Sequence, residues 1–412
     1  MSSYVAHLES ALDGSRFEAG KLHTVHQGRP LWVRYDLAKI RKMVTPQIIA
    51  QRPPSLWRYR ELLPLPGEAE PVTLGEGMTP LLSCPQLGKE LGLANLLVKD
   101  ESQLPTGSFK SRGMAVAVSM AKHWGLRRLA IPTAGNAGGA LAAYGARAGM
   151  EVYVFMPEDT PRVNQMEAYL AGAHVFLVNG LINDCGKIVR DGIAKMGWFD
   201  VSTLKEPYRL EGKKTMGLEL AEQMEWRLPD VILYATGGGT GLIGMWKAFA
   251  ELGELGWLKS KKLPRLIGCQ SEGCAPIVRA FEANQRFAEP FANAQTIASG
   301  LRVPAAVGDF MILDAIRASG GVAVSGRENR IVEWMRRATG FEGISVCPET
   351  AVCFDCLDQL RGTGAIQPEE QVVVFNTGAA QKYPEAVPFD LPRLNKDTFQ
   401  DYEALANAKR TS

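Results

Sequence analysis

The chain has 412 residues, of which 46% are apolar and 22% charged, a length suited to two or three compact units and a composition that excludes disordered, collagen-like or coiled-coil chains. Its 46 Lys and Arg against 44 Asp and Glu leave a formal charge of +2, with no block of like charge, so nothing in it marks a nucleic-acid or anionic-membrane partner. The longest uncharged run, 129–146, holds Pro132, Asn136 and four glycines and reads as strand, loop and helix, so no membrane span is expected.

Taken in chain order, the first ten residues have neither a basic nor an apolar leader region, and cytoplasmic residence is expected. Residues 1–66 are mixed and dotted with proline; they read as an extension packed on a main body. A regular alternation follows: helix 108–124, strand 129–132, helix 136–148, strand 152–156, helix 161–171, strand 174–178 and helix 182–196. After a break come helix 211–227, strand 231–236, helix 241–252 and strands 265–270, 322–325 and 371–376. Short apolar strands alternating with helical periodicity predict parallel α/β units. The expected fold class is α/β, with two interleaved lobes on parallel-rich sheets. Residues 384–393 are proline-rich and, with the polar stretch to Ser412, read as a tail lying on the surface.

Seven cysteines, an odd number spread over a long chain, do not form a disulfide framework. Cys353 and Cys356 lie three apart in a predicted helix with Cys347 upstream, but no clustered histidine completes a tetrahedral site. They are expected to be buried, small hydrophobes, with no metal.

Four stretches carry chemistry. In Leu97-Val-Lys-Asp-Glu-Ser-Gln-Leu-Pro-Thr-Gly-Ser-Phe-Lys110-Ser-Arg-Gly113, a strand runs into a turn, Ser108 is placed to cap a helix, and Phe109 and Lys110 open it. A lysine at a helix start is opposed by the dipole, which favours the neutral amine that forms Schiff bases; a surface lysine is the competing reading. Around Thr236-Gly237-Gly238-Gly239-Thr240-Gly241, glycines between strand and helix let several N–H groups converge on a phosphate. Two other readings stand beside it: glycines kept for close packing, and a dinucleotide site formed by Gly239, Gly241 and Gly244 with Glu272 as the ribose acid. Thr133-Ala134-Gly135-Asn136-Ala137 is a second small-residue turn whose N–H groups suit a carboxylate, or whose Thr133 or Asn136 caps a helix. Finally, Asn376-Thr377-Gly378 ends a buried strand with a hydroxyl.

Together these pieces resemble the threonine synthases within the fold-type II, tryptophan synthase β-like family of pyridoxal-phosphate enzymes. The resemblance spans about 56–385 and includes Tyr208-Arg-Leu-Glu-Gly-Lys-Lys-Thr215. It implies pyridoxal 5′-phosphate as cofactor, Lys110 as the lysine of the internal aldimine beside Phe109, Asn136 on the pyridine 3-oxygen, Gly237, Gly238, Gly239, Thr240 and Gly241 on the phosphate, and Thr377 toward the pyridine nitrogen. A hydroxyl there does not enforce ring protonation, which disfavours transamination. Thr133, Ala134, Gly135 and Ala137 would hold the substrate carboxylate and Arg209 the substrate phosphate, unless Arg209 makes an interlobe salt bridge to Glu206 or Glu211. The implied reaction is O-phospho-L-homoserine and water to L-threonine and phosphate, in a homodimer acting on a small amino acid. A serine/threonine dehydratase-like β-elimination is the alternative on the same fold; an NAD-dependent oxidoreductase and a cofactor-binding protein without turnover are further rivals. The implied division is 1–66 as extension, 67–115 with 220–385 as the large cofactor-binding domain, 116–219 as the small substrate-binding domain, and 386–412 as the tail. The chain departs from the pattern at Glu206, where asparagine is usual, at Ala137, where threonine is usual, and at Lys21–Gly28, which lack the cysteines of related sequences.

Overall fold

Runs that are apolar at every position form the middle of the larger sheet. In the computed structural model, which describes residues 3–398 and 401–403, strand Val231–Ala235 is buried at all five positions and pairs in parallel with Arg265–Ser271 on one side and Gln371–Asn376 on the other. Strands covered by helices on both faces require that pattern. Alternate side chains divide between the faces: Ile232, Val373 and Phe375 pack with Phe249 and Phe310, whereas Leu233, Val372 and Val374 pack with Trp334 and Phe354. The full order is Ala323–Gly326, Arg265–Ser271, Val231–Ala235, Gln371–Asn376, Asn95–Asp100 and Leu81–Ser83, the last strand alone running antiparallel.

A second sheet, parallel throughout, is built from chain that leaves the first sheet after Asn95–Asp100 and returns to it at Val231–Ala235. Its order is His174–Val178, Glu151–Pro157, Arg128–Pro132 and Phe199–Asp200. Two interleaved α/β lobes result, as the alternation predicted.

The extension has structure that its mixed composition did not announce. Val5–Ser10 pairs antiparallel with Arg16–Glu18 and Leu31–Tyr35, and helices Leu37–Met43 and Pro46–Ala50 follow. Each strand is short, and its buried side docks on the body instead of forming a core of its own. Tyr35 Oη donates to Glu211 Oε2 at 2.7 Å, joining a buried set in which Glu211 pairs with Lys214 and Lys247 and both lysines reach Glu251.

Two helix starts differ from expectation. Ser108 does not cap its helix: the helix is Lys110–His123 with Phe109 at the cap position and no side-chain cap bond. Ser108 is instead held in an antiparallel bridge with Gly378, and Phe109 N donates to Thr377 O at 3.1 Å, so the turn is fixed from another part of the chain. Helix Tyr208–Gln223 begins three residues before the expected 211. The Glu206 carboxyl accepts from Tyr208 N at 2.6 Å and from Arg209 N at 3.1 Å, which satisfies amides that would otherwise be orphaned at a buried helix end. The expected tail, 386–412, lies partly outside the described residues; Phe389 and Leu391 within it are exposed.

Candidate active site

Parallel strands deliver their loops to one edge, and ligands in open α/β sheets bind beyond the carboxyl ends of the strands. Here Asn95–Asp100 leads to Lys110, Arg128–Pro132 to Thr133–Ala137, Val231–Ala235 to the glycine loop and Gln371–Asn376 to Thr377. Four distant sequence segments thus meet at one place. An inner pocket is lined by Phe109, Lys110, Asn136, Arg209, the loop 237–241 and Thr377. It adjoins an interlobe cleft of about 620 Å³ lined by Lys110 and the loop 133–137. Lys110 stands where the two meet.

Lys110 Nζ lies 3.8 Å from the centroid of the Phe109 ring. Burial is the leading reason that its amine falls to about 7, and the nearby Arg209 guanidinium adds to the effect, against an opposing influence from Glu349 and Cys347. Desolvation therefore outweighs the helix dipole that the sequence reading put first, with the same outcome: a lysine able to act as a neutral nucleophile near pH 7.

The glycine loop combines free amides with closely packed glycines. Among the described residues, none of the amides of Gly237, Gly238, Gly239, Thr240 and Gly241 donates a hydrogen bond, and the first to do so in this turn is Ile243 N, to Gly239 O at 3.0 Å. Five adjacent free donors at the start of helix Thr240–Leu255 make an anion site. The glycines are also required by their neighbours. Gly239 has φ +73°, and a Cβ on it would lie 2.2 Å from Ile312; a Cβ on Gly241 would lie 2.0 Å from Tyr234 Oη. Packing holds the loop in the shape that frees its amides.

The 133–137 turn is built similarly. Thr133 Oγ1 accepts from Gly135 N at 3.2 Å, so the hydroxyl braces the turn; Gly135, with no side-chain cap bond, precedes helix Asn136–Ala148. Neither Thr133 nor Asn136 is its cap. The amides of Ala134, Asn136 and Ala137 make no hydrogen bond among the described residues, which leaves them for a carboxylate. Asn136 is oriented from both ends: its Nδ2 donates to Tyr383 Oη at 2.9 Å, and its Oδ1 accepts from Asn164 Nδ2 at 2.7 Å.

Arg209 lines the inner pocket with the glycine loop rather than the outer cleft. It is buried, and among the described residues it forms no salt bridge to Glu206 or Glu211. Its Nη1 donates to Val201 O at 2.6 Å, while Nε is buried without a partner. The outer cleft carries other cations, Lys205, Arg190 and Arg302, and one carboxylate, Asp200.

Three pocket residues had no role in the sequence reading. Tyr383, Glu349 and Cys347 lie in or beside the inner pocket, and Cys347 Sγ is 3.5 Å from Thr377 Oγ1. Tyr383 follows the Asn376-Thr377 turn closely enough for that motif to have flagged it; Glu349 had no such signal. The seven cysteines are all buried, as expected. Glu272, the imagined ribose acid, accepts a hydrogen bond from Glu328 N at 2.9 Å on an exposed surface.

Free amides at one end, a neutral-prone lysine in the middle and a second amide turn beside it fit a phosphate-bearing aldehyde cofactor and an amino-acid substrate. Comparison with known proteins agrees. The sequence profile of the pyridoxal-phosphate dependent enzymes matches residues 72–378. A threonine synthase of Methanocaldococcus jannaschii is 36% identical, covering 89% of this chain and 90% of that protein, and one of Methanosarcina acetivorans is 36% identical over 86% of both. In fold, the chain is similar to diaminopropionate ammonia lyase from Escherichia coli, with a TM-score of 0.66 and 17% identity over 94% of this chain and 98% of that one.

Proposed function

Since the chain belongs to the threonine synthases of the pyridoxal-phosphate dependent enzyme family, we propose that it converts O-phospho-L-homoserine and water to L-threonine and phosphate. Pyridoxal 5′-phosphate supplies the electron sink on which the α-carbon proton becomes acidic. The chain's own residues divide the remaining work. Lys110 would hold the cofactor and, once free, would move protons at Cα and Cβ as general base and acid. The amides 237–241 would hold the cofactor phosphate, and the free amides of Ala134, Asn136 and Ala137 the substrate carboxylate, with Gly135 shaping the turn through its bond to Thr133. Asn136, held by Tyr383 and Asn164, would meet the cofactor's 3-oxygen, and Thr377 would offer a hydroxyl to the pyridine nitrogen. Arg209, with an unpartnered Nε, is the cation for the substrate phosphate.

The observation that carries this reading is the position of Lys110 between the free amides of the glycine loop and the interlobe cleft. The division into a large lobe, 67–115 with 220–385, and a small substrate lobe, 116–219, belongs to the same proposal, because it puts the two amide turns on opposite sides of the cleft. A homodimer is supported by the exposed apolar residues Tyr169, Leu170, Phe176 and Leu177, the last two on an edge strand whose open backbone groups a second copy would cover. Cytoplasmic residence is supported by seven unpaired cysteines. Among the described residues, no helix is long and apolar enough to cross a membrane.

The test is a direct comparison of substrates. Purified protein loaded with cofactor should release phosphate from O-phosphohomoserine with formation of threonine. Release of keto acid from serine or threonine, without turnover of the phosphorylated substrate, would replace this reading with the dehydratase one.

A further inference from the structure

One carboxyl group shares the inner pocket with Lys110. Glu349 lies in the first turn of helix Pro348–Gly362, is 4% exposed, and lines the pocket together with Lys110, Arg209 and Tyr383. Its Oε1 accepts from Gly300 N at 2.8 Å. Its Oε2 is buried without a hydrogen bond, although a buried acceptor left unsatisfied is costly. The Tyr383 phenol also reaches this carboxyl through a side-chain hydrogen bond that helps to raise the phenol, but it is a neutral donor, and the amine at the centre of the pocket is the partner that can answer the carboxylate's charge.

The other groups facing Lys110 cannot take that part. Helix Tyr208–Gln223 presents the Arg209 guanidinium and the Lys213 amine, the latter pushed well down by burial and by the neighbouring Lys110 and Arg209; neither is an anion. Lys213 Nζ sits over the same Phe109 ring, 4.3 Å from its centroid, and donates to Phe109 O. Helix Pro348–Gly362 and its cap present Glu349 and Cys347, and the turn after Gln371–Asn376 presents Tyr383. The Cys347 thiol is pushed up to about 12, chiefly by burial, and the Tyr383 phenol is also raised chiefly by burial, so both are neutral near pH 7. Glu349 is the acid in this pocket able to balance an ammonium.

We propose that Glu349 is the positioning residue of Lys110: when the lysine is released from the cofactor, the Glu349 carboxylate holds its ammonium group in the pocket, keeping the proton on Nζ within reach of the substrate. This rests on the reading of Lys110 as the cofactor lysine. The first turn of a helix suits an anion, and the bond to Gly300 N occupies Oε1, so that Oε2 is the oxygen available to the amine.

The experiment measures Lys110 itself in cofactor-free protein. Trace acetylation with acetic anhydride across pH 5–10, read by mass spectrometry on the peptide containing Lys110, gives the midpoint at which the amine becomes reactive. In Glu349→Gln, which keeps an amide oxygen for Gly300 N, the midpoint should move about one pH unit toward acid, because the remaining neighbours are cations or neutral. Glu349→Asp should restore part of the difference. In the holoenzyme, Glu349→Gln should lower kcat more than it changes KM. An unchanged midpoint in both variants overturns the proposal, as does a loss of folding or cofactor retention in Glu349→Gln with the wild-type midpoint kept in Glu349→Asp. Failure of the underlying reading looks different: Lys110→Ala would then keep the visible absorption band of a lysine-bound cofactor.

Discussion

Glu206 holds Arg209 by its backbone amide, with no salt bridge between the two side chains among the described residues. The carboxyl oxygens accept from Arg209 N at 3.1 and 3.2 Å, while the guanidinium turns away to Val201 O. The residue that stood out in the sequence as a departure from the usual asparagine is therefore part of a helix start. Burial raises its carboxyl to about 7, with Arg209 and the two amides acting in the opposite direction.

That carboxyl makes stability depend on pH in a defined sense. A folded-state value of about 7 against an ordinary 4.5 means that the folded protein binds the extra proton between those values, so this group's contribution falls as pH rises from about 4.5 to 7. Glu206→Gln should remove the effect and be more stable than wild type at pH 8 by about 1–3 kcal/mol, with no difference below pH 4.5. Glu206→Ala should fall below the glutamine variant by about 1–2 kcal/mol through loss of the cap. Urea denaturation at several pH values reads both.

Arg209→Lys should lower kcat/KM for O-phosphohomoserine by about tenfold to a thousandfold, the loss of a charge-assisted contact that a point charge does not reproduce. The cofactor absorption band should remain. Turnover held at the wild-type rate alongside a lower melting temperature would make the contact to Val201 its whole role.

Lys110 gives a second pH signature. Its amine at about 7 against 10.5 unfolded means that the unfolded chain binds more protons between those values, so the cofactor-free protein should gain stability as pH rises from about 7 toward 10. Capture of cofactor, followed by the growth of visible absorbance, should accelerate through the same midpoint near 7. Lys110→Ala should abolish that absorbance and reduce turnover by about a thousandfold or more, while inorganic phosphate still protects the glycine loop from proteolysis.

Gly239→Ala tests how far packing and binding are joined. A left-handed conformation costs an alanine about 1–2 kcal/mol, and crowding of Ile312 adds about 1–3 kcal/mol, so loss of stability and loss of cofactor affinity should appear together. Gly253, in the same helix, has nothing within 4 Å of its would-be Cβ. Gly253→Ala should be neutral or stabilise by about 0.5–1 kcal/mol, which calorimetry on the two variants distinguishes.

The lysine motif conceals a buried ionic core. Arg112 bonds Glu101 and Glu219, at 2.8 Å to each, Lys99 joins Glu219, and all four side chains are fully buried. Arg112→Met should destabilise by about 3–5 kcal/mol by stranding the Glu101 carboxylate and leaving Glu219 with Lys99 as its one cation among the described residues, with the absorption of any protein that still folds unchanged.

What could be read from the sequence was what local physics decides. Val372, Val373 and Val374 in succession between polar turns admit only a buried strand, and the glycines at 237–239 admit only a tight turn. The start of the Lys110 helix was misread because its cap position is set by Thr377 and Gly378, far along the chain. Glu349 was missed for a related reason: an acid after a helix-opening proline is an ordinary helix beginning until the fold sets it beside Lys110. The extension's strands were missed because their buried faces have their partner on the body, at Glu211 and Lys247, and not within the segment.

The contacts that span the cleft are of a different kind from those that build either lobe. Arg302 holds Asp159 by two bonds of 2.8 Å, and Lys382 holds Glu167; each pair joins a residue near the larger sheet to one near the smaller. Asp159 is well exposed, so the attraction it supplies weakens as the screening distance shrinks from about 8 Å in physiological salt to about 3 Å at 1 M. Of these two fastenings between the lobes, the outer one thus has a strength that the surrounding electrolyte sets, while the Lys382 pair, largely buried, is screened far less.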